Sequence, residues 1–314
     1  MKITTISELY EEFLLEQKFR NNSNRTLEFY KENLSRFFDW LKSDELLLLS
    51  TDKWKEYGVY LHDTATKKNG DKYSEASIQG CMRAVKAFYN YGTEQGVIDD
   101  KVFRQLKLPK AHNKEERILD DDEINTLFKC IDSTTQTGLR NKCFIALMLD
   151  CGLRRGEIPR LNFADLDIKT KTMIIKGKGN KQRVVPMGKI SAALLSDYIS
   201  KYRLCAGQQA PVFVENDNSR CTDNLIKQVF KRVKKSTGIN RLHPHLLRHT
   251  FATNYIADGG DLETLRLILG HANIQTTQRY LHLAFNLKLQ TSRHNSHLDK
   301  IYNADKDKNN SRLA

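Results

Sequence analysis

The chain keeps a helical period almost throughout and leaves it once. Residues 173–175 and 183–185 are short β-prone runs with GKGNKQ between them. Glycine permits a tight turn, so the runs read as a β-hairpin with Gly177, Lys178, Gly179, Asn180 and Lys181 at its tip. A hairpin alone is marginal in water and needs helices to cover one face. The expected fold is therefore mainly α, with a small antiparallel sheet confined to the part of the chain that carries the hairpin.

The amino-terminal stretch shows the helical period only. Ile6, Leu9, Tyr10, Phe13 and Leu14 fit one helix face. After a polar break at residues 22–24, Leu27, Tyr30, Leu34, Phe37, Phe38 and Leu41 fit a second. Trp54, Tyr57, Tyr60 and Leu61 mark a shorter third helix, and residues 64–74 read as a loop. Ser77 starts a fourth helix with Ile78, Cys81, Met82, Val85, Phe88 and Tyr89 along it. Amphipathic helices without a strand predict an all-α domain over residues 1–107. Residues 102–116 lose the period and include Pro109, so an interdomain linker is expected at 108–117.

Charge separates the two parts. The 314 residues carry a formal net charge of +13. Residues 1–110 hold 18 basic and 17 acidic side chains, whereas residues 111–314 hold 33 and 21. That excess points to a polyanionic partner such as nucleic acid. KQVFKRVKK at 227–235 is its densest part. Val229, Phe230 and Val233 can pack inward there, leaving Lys227, Lys231 and Arg232 as DNA contacts or as a solvated face. Lys67, Lys68, Arg83 and Lys86 are candidates in the first domain on the same terms. Six cysteines, at 81, 130, 143, 151, 205 and 221, form no CxxC pair, which speaks against a zinc knuckle or redox motif. They suit buried thiols in a reducing compartment. With no secretory leader and no run of membrane-spanning length, a cytoplasmic protein without membrane association is expected.

The chemistry-bearing stretches lie in the second part. Asp120 to Asp122 suit a helix start. An apolar helix over 141–150 runs into CGLRRGEIPRLNFADLD, where Gly152 is expected to end it. Arg154 and Arg155 then address phosphate, or one of them pairs with Glu157 or Asp165 and the other is solvated. Lys178 at the hairpin tip can reach a phosphate backbone or deliver a proton. No GxxxxGK[ST] phosphate loop is present. Pro244 begins a helix on which His245 and Arg248 share a face, while His249 points elsewhere. Leu262, Leu265, Ile268 and Leu269 form another helix that Gly270 ends, presenting His271. Thr276 or Thr277 is expected to cap the segment leading to Tyr280, and residues 281–290 read as a further amphipathic helix. On its own residues Tyr280 reads as core. Together, arginine and imidazole can grip and protonate a phosphodiester, and a phenol can attack it.

GLRRGE at 152–157, GKGNKQRVVPM at 177–187, HPHLLRHTFAT at 243–253 and LGHANIQTTQRYLH at 269–282 resemble, in order and spacing, the tyrosine recombinase (phage integrase) family. The helical amino-terminal part resembles that family's core-binding domain, so the likeness covers roughly residues 3–288. Compact chromosome-dimer resolvases and simple mobile-element integrases are the relatives it most resembles. The resemblance implies a mixed α/β catalytic domain over 118–290; residues 291–314, polar and sparse in large apolar groups, read as a mobile tail. It implies Arg154 and Arg248 as phosphate-binding arginines and Lys178 as the donor to the leaving 5′ oxygen. His245 would assist proton transfer, His271 would hydrogen-bond the scissile phosphate and Tyr280 would be the nucleophile. Lys181 and Arg183 would contact the DNA backbone or support the hairpin.

The implied activity is site-specific cutting and rejoining of DNA through a 3′-phosphotyrosyl link. It would serve integration or excision of a mobile element, transposition, or chromosome-dimer resolution, without metal or cofactor. The implied partners are double-stranded DNA sites and a homotetramer, or a heterotetramer with a related recombinase. The 281–290 helix would join the subunits or pack in cis, and an accessory directionality protein can take part. The alternative is a catalytically idle, sequence-specific DNA-binding architectural protein of the same fold. Pro159 departs from the family pattern, where leucine is more common, and is expected to bend or shorten the helix after Arg154.

Overall fold

The computed structural model describes residues 3–67, 69–98, 107–110, 117–177, 181–204 and 206–291. Lys68, Lys178, Cys205, most of the expected linker and the expected tail beyond 291 lie outside the described residues. The chain divides into two compact units, Met1–Glu115 and Glu116–Ala314.

In the first unit the described elements are helices α1 (Ile6–Phe19), α2 (Asn24–Leu41), α3 (Thr51–Asp63) and α4 (Glu75–Glu94). A short hydroxyl side chain sets each start. Thr5, Ser23, Ser50 and Ser74 accept the backbone N–H groups of Glu8, Thr26, Lys53 and Ser77. Glu8 returns the bond at α1 and completes a capping box. Helix α4 is the one against which the other three pack. The core there is built of rings. Phe13 meets Phe88 edge-on at 5.7 Å, Phe38 meets the same ring at 5.5 Å, and Phe37 meets Tyr57 at 5.0 Å. Leu108, from the expected linker, packs on this core, and Gln79 donates to the carbonyl of Pro109 at 3.1 Å.

The second unit opens with α5 (Asp121–Lys129) and α6 (Gln136–Asp150). Asp120 caps α5, and Glu123 completes its capping box. A three-stranded antiparallel sheet follows, β1 (Leu166–Asp167), β2 (Thr172–Lys176) and β3 (Gln182–Pro186), in that order. Its register pairs Met173 with Val185, Ile174 with Val184 and Ile175 with Arg183. Met173, Ile175 and Val185 face the core, while Ile174 and Val184 face out, the alternation a half-buried sheet requires. Helices α7 (Lys189–Tyr202), α8 (Asp223–Thr237), α9 (Pro244–Ala257), α10 (Leu262–Leu269) and α11 (Gln275–Thr291) complete the unit. Helix α6 is buried through Phe144, Ile145, Leu147 and Met148 and packs on α7, α8 and α9. A smaller cluster of Ala252, Ile256, Leu265, Leu269, Tyr280 and Ala284 ties α9, α10 and α11 together.

Several expectations need correction. The segment before Tyr280 and the helix after it are one continuous helix, α11. Asn273, not a threonine, accepts the early backbone N–H of that helix, from Gln275 at 2.9 Å. Thr276 and Thr277 therefore lie inside the helix rather than capping it. Helix α7 had no counterpart in the sequence reading. Pro159 sits buried in a 3-10 turn, Ile158–Arg160, and its carbonyl accepts from Arg220 at 2.8 Å. Cys81, Cys143, Cys151 and Cys221 are buried thiols, but Cys130 is exposed.

Candidate active site

Two glycines with left-handed backbones build the site. Gly152 has φ +62 just past the end of α6, and Gly270 has φ +63 just past the end of α10. A side chain at Gly152 would also collide with Phe251 and Leu269, at 2.6 and 2.9 Å. The turns aim backbone carbonyls at the arginines. Arg248, on α9, donates to the carbonyls of Gly152 at 2.6 Å and Leu269 at 2.7 Å. Arg154 donates to the carbonyl of Gly270 at 3.3 Å. The two guanidiniums are thus drawn toward one patch of backbone, and each lowers the tendency of its neighbours to carry a proton.

Arg248 is only 5% exposed. Burial first, and the Arg154 charge second, push its pKa down to about 9, which leaves it cationic at neutral pH. Its Nη2 also lies 3.1 Å from Nε2 of His271. The other imidazole nitrogen, Nδ1, lies 2.9 Å from the hydroxyl of Thr277. Arg266 donates to the carbonyl of His271 at 2.8 Å and fixes the turn that carries the ring. Desolvation, then the charges of Arg248, Arg154 and Arg183, lower the His271 pKa to about 4. His245 opens to solvent, yet its pKa is also lowered, first by desolvation and then by Arg248. Both rings are neutral at pH 7 and able to accept a proton or a hydrogen bond.

Tyr280 is 6% exposed in the small cluster between α9, α10 and α11. Its ring lies 5.3 Å from that of His249, and the guanidinium of Arg279 lies 5.7 Å from its centroid. His249 is buried with Nε2 unpartnered, and desolvation followed by the Arg279 charge lowers its pKa to about 4.

Both members of the arginine pair have protein partners. Arg154 donates to Glu157 at 3.0 Å, and Arg155 donates to Asp223 at 2.6 Å. Asp165 pairs instead with Lys176 at 2.8 Å. Glu157 is buried and accepts from three directions: the backbone N–H of Arg154, the Arg154 guanidinium, and both terminal nitrogens of Arg183 at 2.9 and 2.8 Å. Desolvation would raise its pKa, but the Arg183 hydrogen bonds and charge outweigh burial and the net shift is downward. Arg183 also donates from Nε to the carbonyl of Ile268 at 2.6 Å and is 11% exposed on its side chain. Its guanidinium is turned into the protein, where it ties β3 to Glu157 and to the end of α10.

The site thus joins Arg248 to His271 directly and brings Arg154 to the carbonyl of the adjoining Gly270, with His245 on the same helix as Arg248 and Tyr280 on the helix that supplies Thr277. Lys178 lies outside the described residues. Lys181, Lys227, Lys231, Arg232 and Arg83 are exposed, and Lys67 and Lys86 are partly buried. Two further residues hold the site together: Glu157 binds Arg154 and Arg183, and Thr277 meets His271. Glu157 was legible only as one of two acidic partners. Thr277 resembled a cap because hydroxyl residues favour helix starts.

The Phage integrase family model matches residues 117–286, and the Phage integrase SAM-like domain matches residues 5–111. The chain is 28% identical over 284 residues to the tyrosine recombinase XerC of Oceanobacillus iheyensis, covering 88% of this chain and 92% of that one. It is 30% identical over 303 residues to the tyrosine recombinase XerC of Staphylococcus carnosus, covering 95% and 96%. Among solved structures, the Tn1549 transposon integrase in complex with a circular intermediate DNA is similar with a TM-score of 0.70 at 19% identity, covering 88% of this chain and 95% of that one. The chain belongs to the tyrosine recombinase, or phage integrase, family.

Proposed function

We propose that this protein is a site-specific DNA recombinase that cuts and rejoins strands through a 3′-phosphotyrosyl intermediate. The carrying observation is the convergence of Arg154, Arg248 and His271 around the carbonyls of residues 152, 269 and 270, next to the helix that bears Tyr280. Two guanidiniums and an imidazole suit the nonbridging oxygens of a phosphodiester, where negative charge develops during displacement. The Tyr280 oxygen attacks phosphorus, and its proton goes to neutral His245. The bond from phosphorus to the 5′ oxygen breaks, and Lys178 protonates that oxygen. The phosphotyrosyl link retains the bond energy, so a second strand's 5′ hydroxyl can reverse the step without ATP.

In this reading residues 1–107 form the core-binding domain, 108–117 the linker, 118–290 the catalytic domain and 291–314 a polar tail. Double-stranded DNA is the substrate, in keeping with the DNA-bound transposon integrase of like fold. Lys181, Lys227, Lys231, Arg232, Lys67, Lys68, Arg83 and Lys86 are its candidate backbone contacts. Four subunits assemble on two sites through residues 281–290. The biological role is mobile-element integration and excision or chromosome-dimer resolution.

The test is a nicked suicide duplex carrying a binding site selected from a random DNA library. Wild-type protein is expected to become covalently attached, and Tyr280→Phe to bind without attaching. Absence of an adduct on duplex that the wild-type protein demonstrably binds would overturn the reading and favour the idle architectural protein.

A further inference from the structure

The hydrogen bonds around His271 determine which nitrogen carries its proton. A guanidinium has donors only, so the 3.1 Å contact between Arg248 Nη2 and His271 Nε2 requires a lone pair on Nε2. The neutral ring then carries its hydrogen on Nδ1, directed at the Thr277 hydroxyl 2.9 Å away. In this state Nε2 cannot donate to a phosphate oxygen. Protonating the ring is a poor solution, because desolvation and then the charges of Arg248, Arg154, Arg183 and Arg279 hold its pKa at about 4.

Thr277 offers another route. It is wholly buried on the first turns of α11, three residues before Tyr280, and its backbone N–H is already bonded to the carbonyl of Ile274 at 2.8 Å. Its hydroxyl can accept from Nδ1–H or rotate and donate to a bare Nδ1. We infer that Thr277 is a positioning residue that sets the tautomer of His271, holding Nδ1–H while Arg248 occupies Nε2 and supporting Nε2–H once a phosphodiester draws Arg248 away. One proton leaves Nδ1 to water and one reaches Nε2 from water, so the ring is neutral before and after the exchange. His271 is only partly buried, which leaves water access for that exchange.

This inference rests on the proposed function for its second state, but its first state is readable without DNA. Long-range 15N spectra of histidine-labelled full-length protein, with His271 assigned by His271→Phe, are expected to show protonated Nδ1 in the DNA-free wild type and in Thr277→Ser. Protonated Nε2 in the wild type would overturn it, whatever the outcome with DNA. On a suicide duplex, Thr277→Val is expected to slow single-turnover adduct formation roughly 10-fold to 100-fold at unchanged DNA affinity, as for other partners that orient a functional histidine, while Thr277→Ser restores the rate. In a His271→Phe background the valine is expected to cost nothing further. An equal loss in both backgrounds would mean a packing role and would sink the idea. Should wild-type protein bind the duplex yet form no adduct, the recombinase reading falls and the 15N spectrum still decides the tautomer.

Discussion

The two units bury different things. The first fills its core with aromatic rings, and its few buried polar side chains stand singly among them: Asn33 donates to the carbonyl of Phe29 at 2.7 Å and accepts from the Cys81 thiol at 3.0 Å. The second buries Arg248 against the carbonyls of Gly152 and Leu269, with Glu157 under Arg154 and Thr277 beside His271. Apolar burial stabilises without directional demands. Buried charge stabilises little and costs heavily when one partner is missing. The first unit is thus organised by packing, and the second adds to its own packed core a preorganised cluster of donors.

The largest expected effect is on chemistry in the second unit. Arg248→Ala should reduce adduct formation by about 100-fold to 1,000-fold in single-turnover assays. It should also leave the carbonyls of Gly152 and Leu269 without their donor. A loss no larger than the fall in folded protein would remove the distinction between the units. Next comes Phe88→Ala in the first unit, expected to cost about 3–5 kcal/mol. Hydrogen exchange should show lost protection in α4 with α6 unchanged; equal loss in both would mean that the units unfold together.

A smaller effect follows from the depressed imidazoles. Folded His249 has its pKa lowered to about 4 from 6.5, so the unfolded chain binds the proton first as pH falls. The associated stability is full above about pH 6.5 and is lost on acidification toward pH 4. His249→Leu should flatten that dependence by about 1–3 kcal/mol in urea titrations. An unchanged slope would remove His249 as its source. The smallest effect on stability is expected at the surface of α8. Replacing Lys227, Lys231 and Arg232 with glutamine should shift stability by no more than about 0.5 kcal/mol. The same change should reduce the salt dependence of DNA binding by up to about three phosphate contacts.

Local signals made most of the fold legible. Three-and-four spacing marked α1 to α4, the glycine-rich tip marked the hairpin, and Gly152 and Gly270 marked turns whose positive φ only glycine adopts freely. Helix α7 escaped because Ile190 is exposed while Ser191 and Ala192 are buried, which blurs its apolar face. The unity of α11 escaped because Thr276 and Thr277 look like a helix start. At the site, the motifs pointed to Arg154, His245, Arg248, His271 and Tyr280. The Glu157–Arg183 pair was not legible, because its members are far apart in sequence and only the folded hairpin joins them.

That pair has a consequence for how the chain reaches its folded state. Arg183 faces inward beside Val185, and Val184 between them faces out. If β3 slipped by one residue against β2, every side chain would exchange faces. Val184 would then meet the buried Glu157, and Arg183 would point into water. Glu157 would keep its bonds from Arg154 but lose both from Arg183, and losing a hydrogen bond to a charged group costs about 1.5–3 kcal/mol. A single ion pair therefore proofreads the alignment of the hairpin, penalising the misregistered strand that its apolar residues alone would tolerate.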